Sequence, residues 1–367
     1  CCRLADAPAK VDHSKMTAAL PVLVEVRRGA TIEARHRGSI VAVDPEGRTL
    51  ASLGDISLVT STRSCIKPLQ ALTLITSGAA DRYHLTSREV ALASASHNGE
   101  PLHTFTAARL LARIGLDEGA LLCGAHRPYS EETAVKLERE GLPFTQLHNN
   151  CSGKHAGMLA TAVHLGLSID NYVSPEHQVQ QSVISTLRRL AGLRETPSIA
   201  VDGCSAPTFG IPLNALAMAF ARFVNPWSTL HRDEPDSTDR EQNSDAQKRI
   251  VAAMTAHPEI VGGTKGRLDT DLIRAARGTL IAKIGAEAVY CVGLLPSERY
   301  SRGLGIAIKV EDGAKRALEP VVVETLIQLG VLDDHARREL AGYRRPEVTN
   351  HRGLVVGEVR PVFRVQS

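Results

Sequence analysis

A mixed, largely antiparallel β-sheet flanked by helices, with a helical region over about residues 64–256, is the fold class this sequence predicts. Three observations carry that prediction. Runs of β-type residues sit near both ends of the chain, helix-period stretches fill the middle, and no G-x-G-x-x-G fingerprint or P-loop accompanies them. Strands at both ends with helices between them do not read as a doubly wound sheet. The 367 residues are enough for one large core. The expected organisation is one domain over residues 16–367, preceded by a disordered extension over residues 1–15.

The elements follow in chain order. Val22, Val24 and Val26 alternate, and a second β-type run, Ile40 to Val43, leads into the turn Asp44-Pro45-Glu46-Gly47. Arg48 to Leu53 then returns, so an antiparallel hairpin opens the chain. From Ser64 the period becomes helical, through Ile66, Leu69, Leu72, Leu74 and Ile75, and it stops at Gly78. Further helical patterns cover residues 87–95, 101–115, 131–140, 154–166, 175–193 and 208–224. Ser198 to Asp202 reads as a short strand leading into the loop Gly203-Cys204-Ser205-Ala206-Pro207. Residues 230–246 are polar and nearly without apolar anchors, which predicts a mobile surface loop before a helix at about 247–256. Ala288–Leu295 and Gly303–Val310 are β-type runs, with a helix near 318–330 and a short strand near 354–359 after them. No internal repeat is present.

Composition excludes several function classes. A net charge of +3 with scattered Lys and Arg leaves no electrostatic footprint for nucleic acid. No apolar run approaches the roughly 20 residues needed to cross a bilayer. Aromatics make up 4% of the chain, so the core must rest on aliphatic residues and alanine. The opening CCRLADAPAKVDHSK lacks the apolar stretch of a secretory signal, and Met16 is a natural start. Without a signal, the Cys1-Cys2 pair carries little weight as a lipid-attachment site. Seven cysteines at irregular spacing do not form a disulfide framework, which points to a reducing cytoplasm.

Five stretches hold residues suited to chemistry. In Arg63-Ser64-Cys65-Ile66-Lys67-Pro68, a serine at a helix start would share a face with a lysine one turn on. Serine becomes a nucleophile only when a base takes its proton, and lysine is that base only when burial or nearby cations hold it neutral. Taken alone, the pattern favours an N-capping serine and a solvated lysine. Ala95-Ser96-His97-Asn98-Gly99-Glu100 could aim a second hydroxyl into a cleft, and it equally suits a helix-to-loop junction. Asn149-Asn150-Cys151-Ser152-Gly153-Lys154-His155 crowds polar groups at a helix start, where a cysteine is expected to lean toward thiolate. Cys204 follows a strand end in a glycine-containing turn, but two cysteines 53 residues apart are a weak metal signal. Cys65 and Cys291 sit in apolar surroundings and read as core thiols. Ala282-Lys283-Ile284-Gly285 precedes a C-terminal strand and echoes a K-T-G element, though Ile replaces Thr and no S-D-N is present. By itself it reads better as a surface lysine leading into a strand.

In this order, R-S-C-I-K-P-L-Q, A-S-H-N-G-E, N-N-C-S-G-K-H-A-G-M, D-G-C-S-A-P-T and A-K-I-G-A-E-A-V-Y resemble the rhizobial-type (class 3, thermolabile) L-asparaginase family. The likeness runs from about Leu20 to the C-terminal strand. It implies a serine β-lactamase-like fold, a homodimer, and hydrolysis of L-asparagine to L-aspartate and ammonia. Two Ser-Lys pairs would share the site, Ser64 with Lys67 and Ser96 with Lys283. One zinc ion per subunit would be held by Cys151, Lys154 and Cys204, with the lysine kept neutral by the metal. Arg63, His155 and Asp202 would line the substrate pocket, Asp202 toward the α-ammonium and Arg63 toward the carboxylate. A glutaminase or another serine amidohydrolase on the same scaffold is the nearest alternative, since one methylene is worth only about 1–3 kcal/mol of pocket contacts. A non-enzymatic metal-binding module is the other.

Overall fold

The computed structural model of this protein describes residues 19–226 and 237–366. The expected extension over residues 1–15 lies outside them. The opening hairpin forms as its sequence requires: β1 (Val22–Arg28) and β2 (Thr31–Val43) pair antiparallel, and β2 turns back into β3 (Thr49–Leu53). Asp44 closes that turn. Its carbonyl accepts from Gly47 N at 2.9 Å and its carboxylate accepts from Arg48 N at 2.9 Å, while Gly47 takes the left-handed φ of 85°.

The remaining strands are β4 (Val59–Ser61), β5 (Ser198–Val201), β6 (Pro207–Pro212), β7 (Leu280–Gly285), β8 (Val289–Leu294), β9 (Leu304–Val310), β10 (Glu347–Thr349) and β11 (Val355–Pro361). The large sheet runs β10-β11-β1-β2-β9-β8-β7, with β3 also on β2, and β4-β6-β5 make a small second sheet. Every pairing is antiparallel. The expected α/β architecture of a largely antiparallel sheet flanked by helices is therefore the one observed, with the sheet wholly antiparallel among the described residues.

All of β8 and all but Lys309 of β9 are buried, so both faces of this part of the sheet are covered. The helix Leu213–Val224 packs on β2, β8 and β9, and the helix Lys315–Gln328 packs on β1, β9 and β11. The first helix lies close because β9 and β8 offer no side chain at the contact. A Cβ on Gly305 would sit 1.9 Å from the Ala217 carbonyl oxygen, and one on Gly293 would sit 2.5 Å from Val224 Cγ1.

Three expectations need correction. The helix foreseen from Ser64 to Gly78 is a 3-10 turn, Arg63–Ile66, followed by two short helices, Lys67–Gln70 and Leu72–Thr76. Ser64 is thus inside a turn and does not cap a helix. The helical pattern at 208–224 is strand β6 until Pro212, and the helix begins only beyond that proline, which disfavours helical geometry in the residue before it. The polar stretch 230–246 is not one loop. Residues 237–256 form a helix whose Ala246, Ile250, Ala253 and Met254 are buried at helical spacing; residues 230–236 lie outside the described part. Among the described residues, no helix is long and apolar enough to cross a membrane.

Replacing Gly305 by alanine forces its new methyl group into the Ala217 backbone. Chemical denaturation is expected to show a loss of at least about 1–3 kcal/mol, while Gly342→Ala, where nothing lies within 4 Å of the added carbon, leaves the midpoint nearly unchanged.

Candidate active site

Segments from distant parts of the chain meet where the end of β7 faces the 3-10 turn and the loop after β5. The turn is tied to its neighbours by the backbone. Thr62 N donates to Phe209 O at 2.8 Å, Arg63 N to Thr208 Oγ1 at 3.1 Å, and the Cys65 thiol to the Lys283 carbonyl at 3.3 Å. Arg63 holds a φ of 43°, unusual for a residue with a side chain and costly by on the order of 1–3 kcal/mol. That conformation sends its guanidinium to Asp202, with Nη2 2.9 Å from Oδ1. Asp202 is fixed in turn: Gly203 N donates to its carboxylate at 2.7 Å and its own N–H donates to Ala206 O at 2.9 Å.

A cavity of about 600 Å³ opens at this junction. Of the residues singled out in the sequence, Arg63, Ser64, Ser96, Cys151, Asp202 and Cys204 line it. Lys67, Lys154, His155 and Lys283 lie behind its wall, exposed by 5% or less. All ten therefore gather in one region, in two layers. The surface-lysine alternatives for Lys67 and Lys283 are excluded by their burial.

The inner layer is a cluster of amines. Lys67 Nζ donates to Ala95 O at 2.6 Å and to Asn150 O at 3.2 Å. Burial above all pulls its pKa down, Cys151 and Cys204 oppose this, and Lys154 adds to it. Lys283 Nζ donates to Ile284 O at 3.1 Å and lies 3.8 Å from Asp269 Oδ2. Its pKa is lowered to about 8, chiefly by burial, against the pull of Asp269 and with help from Lys67 and Arg267. The Ser96 hydroxyl is buried with no hydrogen-bond partner, and among the described residues neither serine is hydrogen-bonded to its lysine.

The sulfur wall differs from expectation in one respect. Cys151 does stand at the start of the helix Ser152–His164, but its thiol is pushed up, by the neighbouring Cys204 and by burial. Cys204 is the thiol pulled down, because Cys151 shares its proton with it and Lys154 Nζ sits 3.0 Å from its sulfur. Proximity to a second thiol outweighs the helix terminus. His155 is held neutral, its pKa lowered to about 4 by burial; Nδ1 meets the Tyr172 hydroxyl at 2.8 Å and the ring also lies against Cys204. Two thiols are donors that a soft divalent metal accepts, whereas the amine beside them is held protonated, its burial outweighed by Cys204 and Cys151, and could donate only after losing its proton. No third His, Cys, Asp or Glu joins them among the described residues, so Lys154 would have to be the third ligand.

Several lining residues carried no usable sequence signal. Arg267 donates to Asn98 Oδ1 at 2.9 Å and pairs with Asp269 at 3.2 Å, and it closes the cavity with Lys265 and Gly266. Tyr129 also lines the cavity, its ring 5.1 Å from that of His126. Charge and aromatic content at these positions are ordinary for a loop, and only the fold aims them at the cavity.

The model of the family described as L-asparaginase II matches residues 24–361. No curated protein matches the chain. Among solved structures, a probable glutaminase from Bacillus subtilis complexed with 6-diazo-5-oxo-L-norleucine is similar at 14% identity and a TM-score of 0.38, over 80% of this chain and 85% of that one. A Bacillus glutaminase crystallised in the presence of 4.3 M NaCl is similar at 12% identity and a TM-score of 0.42, over 80% of this chain and 91% of that one.

The thiols differ enough to be told apart chemically. After chelation, iodoacetamide is expected to label Cys204 at least about tenfold faster than Cys65 or Cys291, read by mass spectrometry of the peptides. Cys65 reacting as fast as Cys204 would contradict this placement.

Proposed function

The chain belongs to the L-asparaginase II family, an amidohydrolase family, and we propose that it hydrolyses the side-chain amide of L-asparagine to L-aspartate and ammonia. The observation that supports this most is that two serines, Ser64 and Ser96, lie at the cavity wall and two buried lysines, Lys67 and Lys283, lie in the same region. A buried amine whose proton is easily lost is what a serine hydroxyl needs as its acceptor near neutral pH, and a second buried amine can carry the proton that the leaving nitrogen takes.

Arg63 and Asp202 form an ion pair at the cavity wall. A free amino acid carries the same two charges on its α-carbon, so its carboxylate can take the guanidinium and its ammonium the carboxylate, exchanging one ion pair for two. Held there, the side-chain amide faces Ser64. Lys67 takes the hydroxyl proton, Ser64 Oγ bonds to the amide carbon, and backbone donors hold the oxyanion. The C–N bond then breaks as the nitrogen takes a proton from Lys283 through Ser96. Water, deprotonated along the same route back to Lys283, attacks the ester, and Ser64 recovers its proton from Lys67. Ground-state hydrogen bonds of the lysines to backbone carbonyls must loosen for this, as is common when a site awaits its substrate.

Cys151, Cys204 and Lys154 would hold zinc, which would supply Lewis acidity and fix the two thiolates and the amine in place. Lys154 would then serve as a neutral amine ligand in place of its present contact with the Cys204 sulfur.

Ammonia release with asparagine and glutamine tests the reading. Asparagine is expected to be the better substrate; glutamine preferred, or neither cleaved, overturns it. In Ser64→Ala the covalent acyl adduct seen by intact-mass measurement is expected to vanish and turnover to fall by at least about a thousandfold. An adduct kept there and lost in Ser96→Ala reverses the two serines. For the metal, elemental analysis of Cys204→Ser is expected to show zinc falling from about one ion per chain to near zero.

A further inference from the structure

Lys283 is accompanied by a carboxylate that the reaction as described does not use. Asp269 stands in the first turn of the helix Leu268–Ala275, and its side chain and that of Lys283 are exposed by 1% and 0%. Its Oδ2 is shared between Lys283 Nζ at 3.8 Å and Arg267 Nη2 at 3.2 Å, while Oδ1 is buried with no partner. The Tyr290 hydroxyl on β8 is also buried and lies against the Asp269 carboxylate. A carboxylate in such a place is expensive unless cations face it. Two do, and only one of them, Lys283, can change its charge.

We propose that Asp269 is a positioning residue acting through Lys283: it holds that side chain as an ammonium ion in the free protein, so that Lys283 is the proton donor to the departing nitrogen. The proposal rests on the amidohydrolase reading above. In the first half-reaction the C–N bond breaks, an N–H bond forms, and Lys283 is left neutral beside Asp269. In the second, the proton lost by the attacking water returns to it, and the cycle closes.

The surroundings of Lys283 support this division of labour. The groups facing it are Asp269, Arg267, Lys67 on the helix Lys67–Gln70, Cys65 on the 3-10 turn and Cys291 on β8. Arg267 and Lys67 disfavour its charge, and Asp269 is the carboxylate that favours it. Glu319 and Tyr290 neighbour Asp269. With its pKa lowered to about 8, Lys283 is still charged at neutral pH and can still give up a proton.

The sign of the effect follows. A donor must start protonated, so kcat/KM falls as pH rises through the Lys283 pKa. Removing the carboxylate removes support for the ammonium form, so the descending limb moves to lower pH. In Asp269→Asn it is expected to move down by at least about one pH unit, with kcat at pH 8 reduced more than KM is changed. Asp271→Asn removes the same charge from the same helix turn, but Asp271 faces Arg274 and Tyr343 and serves as the control. Its limb stays in place. An unmoved limb in a folded Asp269→Asn, or equal movement in both variants, overturns the proposal.

A measurement free of turnover separates this inference from the functional reading. Lysine Nζ-15N NMR of the full chain, with the signal assigned by its loss in Lys283→Met, reports the charge directly. An ammonium at pH 7 supports the proposal even if no amide is cleaved or Asp269→Asn fails to fold. A neutral amine at pH 7 refutes it.

Discussion

Two lysine side chains, Lys67 and Lys283, are sealed in the interior at 1% and 0% exposure, and the rest of the site is arranged around that constraint. Burying an ammonium ion costs several kcal/mol unless partners compensate or the proton leaves. The protein uses both remedies. Lys67 is given two backbone carbonyls from different segments, Ala95 and Asn150, so the loop after the helix Ser87–Ala93 and the segment before Ser152 must both come to it. Lys283 is given its neighbour's carbonyl and a carboxylate. Burial above all, with Lys154 beside Lys67 and with Lys67 and Arg267 beside Lys283, then pulls each one back toward neutrality.

Those partners also set the shape of the cavity. Asn150 O receives His97 N as well as Lys67, which draws the Ser96 loop against the Cys151 helix. Asn98 receives Arg267, and Glu100 receives Thr264 N at 3.0 Å, so the segment 262–267 closes over the same loop. The Arg63–Asp202 pair completes the opposite wall and takes the strained backbone of Arg63 as its cost. Ser64 and Ser96 lie at this wall, and the buried lysines stand behind it.

The sequence made parts of this legible and left others dark. The opening hairpin, β8, β9 and the Ser152–His164 helix were readable because their periodicity is strong and their turns use Gly, Asp and Pro in ordinary ways. The polar helix from Ser237 was misread because its buried positions are few and its composition resembles a loop. In the site, single stretches were ambiguous: a serine three residues before a lysine also suits a cap, and only the order of five such stretches made the resemblance specific. Even then, the depth of each group was invisible. Sequence could not show that Lys154 reaches the sulfur of Cys204. Nor could it mark Asp269 and Arg267, which become part of the site only when β7 and the following segments are folded together.

The central claim is that a buried lysine must be able to lose its proton for Ser64 to react. Lys67→Arg tests it most directly, because guanidinium keeps the charge and much of the volume but stays protonated at any working pH. With asparagine as substrate and the fold verified by circular dichroism, the account predicts that the pre-steady-state burst of ammonia disappears and that raising the pH does not restore it. A burst within about tenfold of the parent protein would mean that Lys67 acts only as a fixed charge, and would contradict the account.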